Sequence, residues 1–301
     1  MISKCCNHKR PTPVPAKFTL HFTIYFTSRL PRCYTLYVPR PDPFSGPPPE
    51  EIPLARAPLP LVVAQVTFPT VAGFTKLESI APFQAALMNQ YPILRPEPAT
   101  SFVIGPKGIQ IQAGEGKIWR FHDKGNKWRV SLTTEFVALE TRSYEGRQDF
   151  IERFRAILAA LQQAAKPAVY ERLGVRFSNR LRGNDVDALP RLVHPELLGI
   201  VASRLSAKLV HSVCETSFTI GDDALNVRWG LLPPGGTPDP AAIEPMDEPT
   251  WLLDMDAFTS KSADFSTDAV ADKAVAFASR IYSFFRWAVT DEFLSRFGGT
   301  R

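Results

Sequence analysis

The chain has 301 residues, of which 45% are hydrophobic and 22% are charged, a composition that is ordinary for a soluble globular protein of one or two domains. Its net charge of +5 arises within residues 1–50, which contain seven Lys or Arg and two Asp or Glu, so the other 251 residues carry 28 charges of each sign. A folded domain that binds nucleic acid usually has a basic excess. Nucleic acid is therefore not expected as a partner unless a local patch supplies the charge.

Cysteine content and hydropathy indicate a cytoplasmic protein. Three of the four cysteines lie within residues 1–50, and Cys214 is the single cysteine of the remaining chain. This count gives no disulfide framework, which suits a reducing compartment. Cys214 lies in a strand-like segment and is predicted to be a small buried hydrophobic residue. The sequence contains no run of about 18 apolar residues, so no membrane partner is expected, and its N-terminus lacks the apolar core of a signal peptide.

Residues 1–50 differ from the rest of the chain in composition. They contain ten of its 28 prolines, including the run Pro47-Pro48-Pro49. Their cysteines and histidines lack the close paired spacing that structural zinc sites favour, so no metal site is predicted. Two interpretations remain open: the segment is a poorly ordered extension, or translation of the native protein starts downstream of it.

Residues 51–168 are predicted to form a first half that contains a strand, a helix, several antiparallel strands and a second helix. The β-branched run at 61–68 indicates a buried strand, and 77–91 has helical spacing with Thr75 as a candidate N-cap. The segment 146–165 carries one apolar stripe at helical spacing, which makes it the clearest helix of the chain.

Short alternating segments between these two helices predict a meander of antiparallel strands. The predicted strands are 101–104, 109–113, 117–122, 128–132 and 136–141. The glycine-containing segment 114–117 is interpreted as a hairpin turn. It is not interpreted as a phosphate loop, because it lacks the required glycine and lysine spacing and no helix follows it.

Residues 169–301 repeat this order of elements as a second half. Alternation at 169–181 predicts a half-buried strand, and 187–207 is predicted to be helical in two pieces. Ser266 is expected to cap a long helix that breaks before Asp291. Further strands are predicted at 209–220, 225–231 and 251–258.

The repeated order predicts an α+β fold with two pseudo-equivalent halves. Each half would be an antiparallel sheet with helices against one face, because an amphipathic element must bury its apolar side against another layer. We expect the two halves to pair edge to edge in one continuous curved sheet, and a saddle-like arrangement would satisfy this order. Two independent domains are the alternative.

The strand at 169–181 carries the candidate ligand-binding residues Arg172, Arg176, Arg180 and Asn179. Arginines two or four residues apart share one face of a strand, and guanidinium groups suit phosphate or carboxylate, so a small anionic ligand is one interpretation. A solvated outer face and a nucleic-acid surface are the other two. The nucleic-acid surface would include an adjoining patch of Trp119, Arg120, Trp128 and Arg129.

Asp254 and Asp256 are the candidate catalytic residues. They are two residues apart on a predicted strand and therefore share one face, where paired carboxylates can bind a metal or divide acid and base roles. The structural interpretation, which we prefer, is a cross-strand ion pair of Arg176 or Arg180 with one of the two carboxylates.

Known catalytic motifs are absent from the sequence. It contains no Gly-x-Ser-x-Gly elbow, His-Glu-x-x-His pair, Walker loop or dinucleotide-binding glycine pattern in a strand-turn-helix setting. The three histidines of the body are not spaced as a metal pair. We therefore predict no cofactor and no metal.

Several short motifs in a fixed order resemble a sporadically distributed bacterial family of uncharacterised proteins. The motifs are 60–68, Tyr91-Pro92, 144–146, Phe150, 172–180, 252–256, Phe285 and 290–292. The resemblance covers about residues 53–298 and leaves the first fifty residues outside. It implies no activity, and its value is to delimit the folded region.

These observations lead to a non-enzymatic cytoplasmic binding or interaction protein, an accessory of a mobile or defence-type locus, as the main hypothesis. Its partner would be a protein or a small anionic ligand, and its oligomeric state is open. An enzyme acting on an anionic substrate, with the arginines binding it and the aspartates supplying the chemistry, is the first alternative. A weak nucleic-acid binder is the second.

Overall fold

A computed structural model describes residues 40–105, 108–240 and 242–299, including all their side chains except those of residues 99–115. Within it, Arg40–Arg301 forms one compact unit. Most of the proline-rich segment 1–50, with its cysteines and histidines, lies outside the described residues.

The first half of the compact unit contains one strand, one helix, four further strands and a long helix. These elements are β1 (Leu61–Thr67), α1 (Leu77–Leu87), β2 (Ile93–Gly105), β3 (Gly108–His122), β4 (Trp128–Leu132), β5 (Phe136–Thr141) and α2 (Arg147–Ala165).

The second half begins with two strands and continues through short helices to three long strands and a long helix. These elements are β6 (Val169–Tyr170), β7 (Arg172–Arg182), α3 (Asn184–Asp187), α4 (Leu189–Leu192), α5 (Pro195–Leu198), β8 (Ser212–Ile220), β9 (Asp223–Leu232), β10 (Thr250–Thr259), β11 (Ala263–Asp264), α6 (Thr267–Ala288) and α7 (Asp291–Arg296).

Nine of these strands form one antiparallel sheet in the order β2-β3-β4-β5-β1-β7-β10-β9-β8. In each half the first long strand lies at the centre, its neighbour is the last long strand of that half, and the other long strands follow outwards in reverse chain order, while β6 and β11 pair in a separate two-stranded sheet. The two first strands, β1 and β7, pair with each other, with Val63 opposite Arg176. The predicted α+β class with two halves in one continuous antiparallel sheet is confirmed.

The main core lies between one face of this sheet and the helices α2 and α6. The predicted apolar stripe of α2 is buried along its whole length, from Phe150 to Leu161. It meets sheet residues such as Ala64 and Val175, which are fully buried. Each fully buried aliphatic or aromatic side chain contributes about 1.5–3 kcal/mol, so this layer dominates the stability of the fold.

A second, smaller core lies on the opposite face of the sheet. Leu61, Leu232 and Leu252 pack there against Ile243, which belongs to the proline-rich segment 233–249 between β9 and β10. We call this segment the β9–β10 loop. It is closed by hydrogen bonds from Gly235 N to Met246 O at 2.7 Å and from Thr237 Oγ1 to Ile243 O at 2.7 Å. One face of the sheet therefore carries the helices, and the other is partly covered by a loop.

Helix ends follow the predictions at α2 and α6 and differ at α1. The segment 187–207, predicted to be helical in two pieces, contains only short helices and turns of three or four residues. Ser266 accepts a hydrogen bond from Ala269 N at the start of α6, as predicted. The N-cap of α1 is Lys76 and not Thr75, whose hydroxyl donates to Ala72 O in the preceding turn. Helix α1 also ends at Leu87, before the predicted end at residue 91.

The predicted hairpin turn at 114–117 is wrong, because these residues continue β3. The pairing of β2 with β3 shifts register there: Pro98 lies opposite Lys117, and Thr100 lies opposite Ala113. The two extra residues of β3 make a bulge-like irregularity of the ladder, and Gly116 has a φ of 150°, which a glycine adopts without strain. Glycines inside a strand mark such irregularities as well as turns.

Cys214 is exposed, contrary to the prediction of a buried residue. It lies on β8, which ends the strand order of the sheet and, among the residues that the structure describes, pairs only with β9. An edge strand has a neighbour on one side, so its side chains are covered less than those of a central strand.

The compact unit begins before the predicted boundary at residue 50. Arg40 bonds Glu196 at 3.1 Å, and its guanidinium lies 4.3 Å from the ring centre of Trp287. The ring of Phe44 packs against Phe218 and Phe284, with ring centres 5.5 and 6.3 Å away. In the part of the chain that the structure describes, no helix is long and apolar enough to cross a membrane.

Candidate ligand-binding site

The four candidate ligand-binding residues of β7 point to two different faces of the sheet. Strand geometry places Arg172, Arg176 and Arg180 on the face that carries the β9–β10 loop. Asn179 is one residue out of phase with them and lies on the helix-covered face, next to Phe177. The strand therefore contributes to two separate sites, which we describe in turn.

On the loop-covered face, Arg176 is the centre of a group of ion pairs. Its Nε and Nη2 donate to the two carboxylate oxygens of Asp254 at 2.8 and 2.9 Å, and its Nη1 donates to Asp239 Oδ2 at 2.6 Å. Burial disfavours the charge of this guanidinium, but the bonds to Asp254 and Asp239 raise the pKa of Arg176 above its ordinary value. The predicted cross-strand ion pair is thus present between Arg176 and Asp254.

Asp254 is nearly fully buried, and its carboxylate is satisfied by neighbouring donors. In addition to the fork of Arg176, Ser178 Oγ donates to Oδ1 at 2.6 Å. Buried charges of this kind are stable only when they are paired and hydrogen-bonded. Asp254 consequently fits a structural role.

Asp256, the second candidate catalytic residue, is less well compensated. Its Oδ2 accepts one hydrogen bond from Arg172 Nη2 at 3.0 Å. Burial raises the pKa of Asp256, although Arg172 and Arg176 oppose this effect. Asp256 borders a polar cavity of about 350 Å³, and Arg228 at its rim bonds Glu215 at 3.1 Å. The guanidinium groups beside this cavity are therefore bonded to carboxylates.

Arg180 fastens the β9–β10 loop to the sheet. Its Nη1 donates to the backbone oxygen of Glu244 at 2.6 Å, and burial lowers its pKa. The carboxylate of Glu244 in turn bonds Arg142 at 2.8 Å. With Asp239 of the same loop held by Arg176, two of the three arginines hold this segment in place.

The proposed aromatic and basic patch does not present stacking surfaces. Trp119 and Trp128 are buried, as expected for core residues. The indole nitrogen of Trp119 donates to Phe74 O at 2.7 Å. The two arginines of the patch bond carboxylates, Arg120 with Glu97 at 3.1 Å and Arg129 with Glu140 at 2.6 Å.

The helix-covered face contains a cavity of about 310 Å³, which we call the central cavity. It lies beside the central strands, where β7 and β10 meet the start of α2 and the middle of α6. Segment 51–59 forms its outer wall. Its main apolar and polar lining residues are Tyr144, Phe177, Asn179, Met255, Ile281 and Phe285.

The outer wall is attached to the rest of the protein by specific bonds. Ile52 N donates to the hydroxyl oxygen of Tyr282 at 2.7 Å, and Arg56 N donates to Phe297 O at 3.0 Å. Glu51 lies 3.5 Å from Arg147, a residue of the first turn of α2. The wall is therefore a packed segment, and the Glu51–Arg147 contact lies at its edge.

Asn179 is the polar group at the floor of the central cavity. Its residue is 6% exposed, and its Nδ2 donates to Leu253 O at the long distance of 3.5 Å. Its Oδ1 accepts no hydrogen bond from any residue of the described ranges. Because Oδ1 is not among the fully buried atoms that lack a partner, it is accessible from the cavity and can accept a hydrogen bond there.

Tyr144 supplies a second polar group without a bonding partner among the described residues. Its ring packs edge-on against Phe177, with centres 5.3 Å apart. Burial, together with the nearby charge of Glu51, raises the pKa of its hydroxyl, so Tyr144 remains protonated at neutral pH. The cavity thus combines an apolar lining with an amide and a phenol.

Comparison with family models and with curated proteins gave no match. No family model matches the chain, and no curated protein matches it. Among the residues that the structure describes, no group of three or more His, Cys, Asp or Glu is placed to hold a metal ion.

The central cavity was missed by the sequence analysis, although one signal for it was present. Asn179 is a polar residue in the apolar phase of an alternating strand, between Phe177 and Leu181. A polar side chain on the core face needs a bonding partner, and such a residue is a candidate for a binding site. The other lining residues come from distant segments, which only the fold brings together.

Proposed function

We propose that this chain is a non-enzymatic, cytoplasmic binding protein that binds a small molecule in the central cavity. The observation that carries the proposal is the incompletely bonded amide of Asn179 at the floor of an apolar cavity. Ligand sites typically occupy about 300–1,000 Å³, are lined by apolar and aromatic groups and contain a few placed polar groups. The cavity fits this description in volume and lining.

The position of the Asn179 amide supports a ligand. Its Oδ1 accepts no hydrogen bond from the described residues and is not among their fully buried atoms, so a ligand in the cavity can reach it. A purely structural residue at this position would be better replaced by leucine.

We also propose that the chain belongs to the sporadically distributed bacterial family that it resembles, as an accessory of a mobile or defence-type locus. Four of the motifs that carry the resemblance meet at the central cavity. They contribute Tyr144, Phe177 with Asn179, Met255 and Phe285. Their meeting at one cavity supports a shared binding role.

The two alternative functions have less support. An enzyme that binds an anionic substrate through Arg172, Arg176 and Arg180 would need guanidinium groups free for that substrate, but Arg172 and Arg176 bond carboxylates of the protein. Arg180 bonds the backbone oxygen of Glu244, and its Nε and Nη2 are buried without a hydrogen-bond partner among the described residues, so Arg180 alone remains for such a role. A nucleic-acid surface would need exposed aromatic rings, and the two tryptophans are buried.

A cavity-filling variant tests the proposal. Ala278 of α6 lines the cavity, so Ala278→Phe should fill it without opening the fold. We expect a library of small apolar compounds to raise the melting temperature of the wild-type chain, since a ligand at 100 times its Kd stabilises by about 2.7 kcal/mol. The filled variant should fold, with a sharp thermal transition, and should show no shift with the same compounds.

Phe258→Leu is a suitable control, because Phe258 lies on the opposite face of β10 beside Arg172. It should respond to ligands as the wild type does. Equal responses of the wild type and the filled variant would place binding elsewhere and contradict the proposal.

A further inference from the structure

We infer that the ligand of the central cavity is an uncharged molecule with an apolar body and a head group, such as a carboxamide or lactam, that both donates and accepts a hydrogen bond at Asn179. This inference rests on the proposed function and specifies the chemistry of its ligand. The groups at the floor, the charges at the wall and the shape of the lining support it.

The floor of the cavity offers a donor and an acceptor side by side. Asn179 presents Oδ1 as a free acceptor and Nδ2 with one long bond to Leu253 O. A side-chain amide is complementary to another amide, because each can donate to the carbonyl oxygen of the other. The hydroxyl of Tyr144 adds one more donor that can reach an acceptor in the cavity.

The floor contains no charged side chain that could compensate an ionic head group. Transfer of an isolated charge from water to a low-dielectric interior is far more costly than transfer of a neutral amide. The hydroxyl of Tyr144 is neutral at neutral pH even at its ordinary pKa, which burial raises further, and the amide of Asn179 does not ionise. A carboxylate or an ammonium group at this depth would therefore lack a counter-charge.

The charged residues that line the cavity belong to its wall and are Glu51, Glu145 and Arg147, with a net charge of −1. Glu51 pairs with Arg147 at 3.5 Å, and Arg147 also donates to Ser279 Oγ at 2.7 Å. Glu145 is exposed and directly precedes Gly146, the N-cap of α2. The one cationic group of this wall is therefore already bonded, which disfavours an anionic head group.

The apolar lining determines which kind of ligand body fits the cavity. Phe177, Met255, Ile281 and Phe285 provide aromatic and flexible aliphatic surface along the sheet and α6. Methionine adapts to irregular shapes, so the cavity can accept either a short aliphatic chain or a ring.

Three probes with the same chain and different head groups test the inference. We would titrate the full-length protein with octanamide, octanoate and octylamine at pH 7.5 and measure heat of binding by calorimetry. Octanamide should bind about tenfold more tightly than the other two, because one satisfied buried hydrogen bond is worth roughly a factor of ten.

Two substitutions at Asn179 test the contribution of the ligand head group to binding separately from that of the apolar cavity. Asn179→Leu has nearly the same shape and should bind octanamide about tenfold more weakly. Asn179→Asp places a carboxylate at the floor and should shift the preference to octylamine. Asn226→Leu, the matched control on the opposite face of the sheet, should bind octanamide as the wild type does.

The outcomes distinguish the inference from the proposed function. Tighter binding of octanoate or octylamine by the wild type, lost in Ala278→Phe, would overturn the uncharged head group and leave the cavity as a binding site. Unchanged octanamide binding by Asn179→Leu would also overturn the role of Asn179. Absence of binding by any probe or library compound would count against both.

Discussion

Asp254 and Asp256 lie two residues apart on β10, but the protein surrounds their carboxylates differently. Asp254 accepts hydrogen bonds from the fork of Arg176 and from Ser178. Asp256 has a single bond from Arg172, and burial raises its pKa despite that partner. A folded-state pKa above the ordinary value means that ionised Asp256 destabilises the fold at neutral pH, and that this cost disappears as the pH falls through the raised pKa.

We therefore predict unequal effects of the same substitution at the two sites. Asp254→Asn should lower the free energy of unfolding by about 3 kcal/mol, because it leaves a buried guanidinium without its main counter-charge. Asp256→Asn should lower it by less than about 1 kcal/mol, because it also removes a carboxylate that is costly to ionise. Urea denaturation at pH 7 measures both values.

Ser217→Ala on the same face provides the baseline for these variants. The hydroxyl of Ser217 donates to Asn226 Oδ1 at 2.8 Å, and this bond is exposed to solvent. Loss of the hydroxyl should therefore change the free energy of unfolding by less than about 0.5 kcal/mol. Equal losses of the free energy of unfolding in Asp254→Asn and Asp256→Asn would show that the two hydrogen bonds from Arg176 do not make Asp254 more important for stability than Asp256.

At the scale of elements, the β9–β10 loop is held by both polar and apolar contacts. Arg176 and Arg180 bond its residues Asp239 and Glu244, and Ile243 enters the small core beside Leu61. A long proline-rich loop would otherwise lose considerable conformational entropy on ordering, so these contacts explain why it lies on the sheet. Arginines that resembled a ligand site in sequence thus act here as attachments for a loop.

Removal of the apolar contact should release the loop. In Ile243→Ala we expect cleavage before Asp247 by a protease that cuts on the N-terminal side of Asp to be at least about tenfold faster than in the wild type, because local opening limits access to the peptide bond. Mass spectrometry of the fragments identifies the cut. Ile200→Ala, at a residue that is 44% exposed, should leave the rate unchanged; equal rates in both variants would show that Ile243 does not hold the loop.

For the whole molecule, some features could be predicted from sequence and others required the fold. Periodicity predicted α2, α6 and the repeated order of elements, because burial of one face imposes a period on the residues. The ion pair of Arg176 with Asp254 could be predicted because Arg176 lies on the first long strand of the second half and Asp254 lies on its last long strand. The central cavity could not be predicted, because Asn179 and Met255 become its floor only when β7 lies next to β10.

Local glycine and cysteine signals were ambiguous for a related reason. Gly114 and Gly116 are typical of a turn and of a bulge, and only the register of β2 against β3 distinguishes the two. Cys214 has the sequence context of a buried residue, but its exposure depends on β8 being at the edge of the sheet. Strand order is a long-range property that neighbouring residues do not encode.

The shared sheet leads to a prediction about the cooperativity of unfolding. β1 and β7 pair along their length at the centre, and α2 and α6 pack into one core, so neither half can unfold without exposing apolar surface of the other. We expect one transition for the whole unit. Tryptophan fluorescence can follow each half, since Trp119 and Trp128 belong to the first and Trp229, Trp251 and Trp287 to the second.

In each of two reporter variants the tryptophans of one half are replaced by phenylalanine, so that fluorescence reports on the other half alone. In each variant the urea transition followed by fluorescence should coincide with the transition followed by far-ultraviolet circular dichroism. Val175→Ala at the centre of β7 should shift both reporters to lower urea by the same amount, because this fully buried side chain stabilises the shared core. Transitions that separate, or a shift confined to the second half, would instead indicate two independently folding halves that meet at β1 and β7 without a common core.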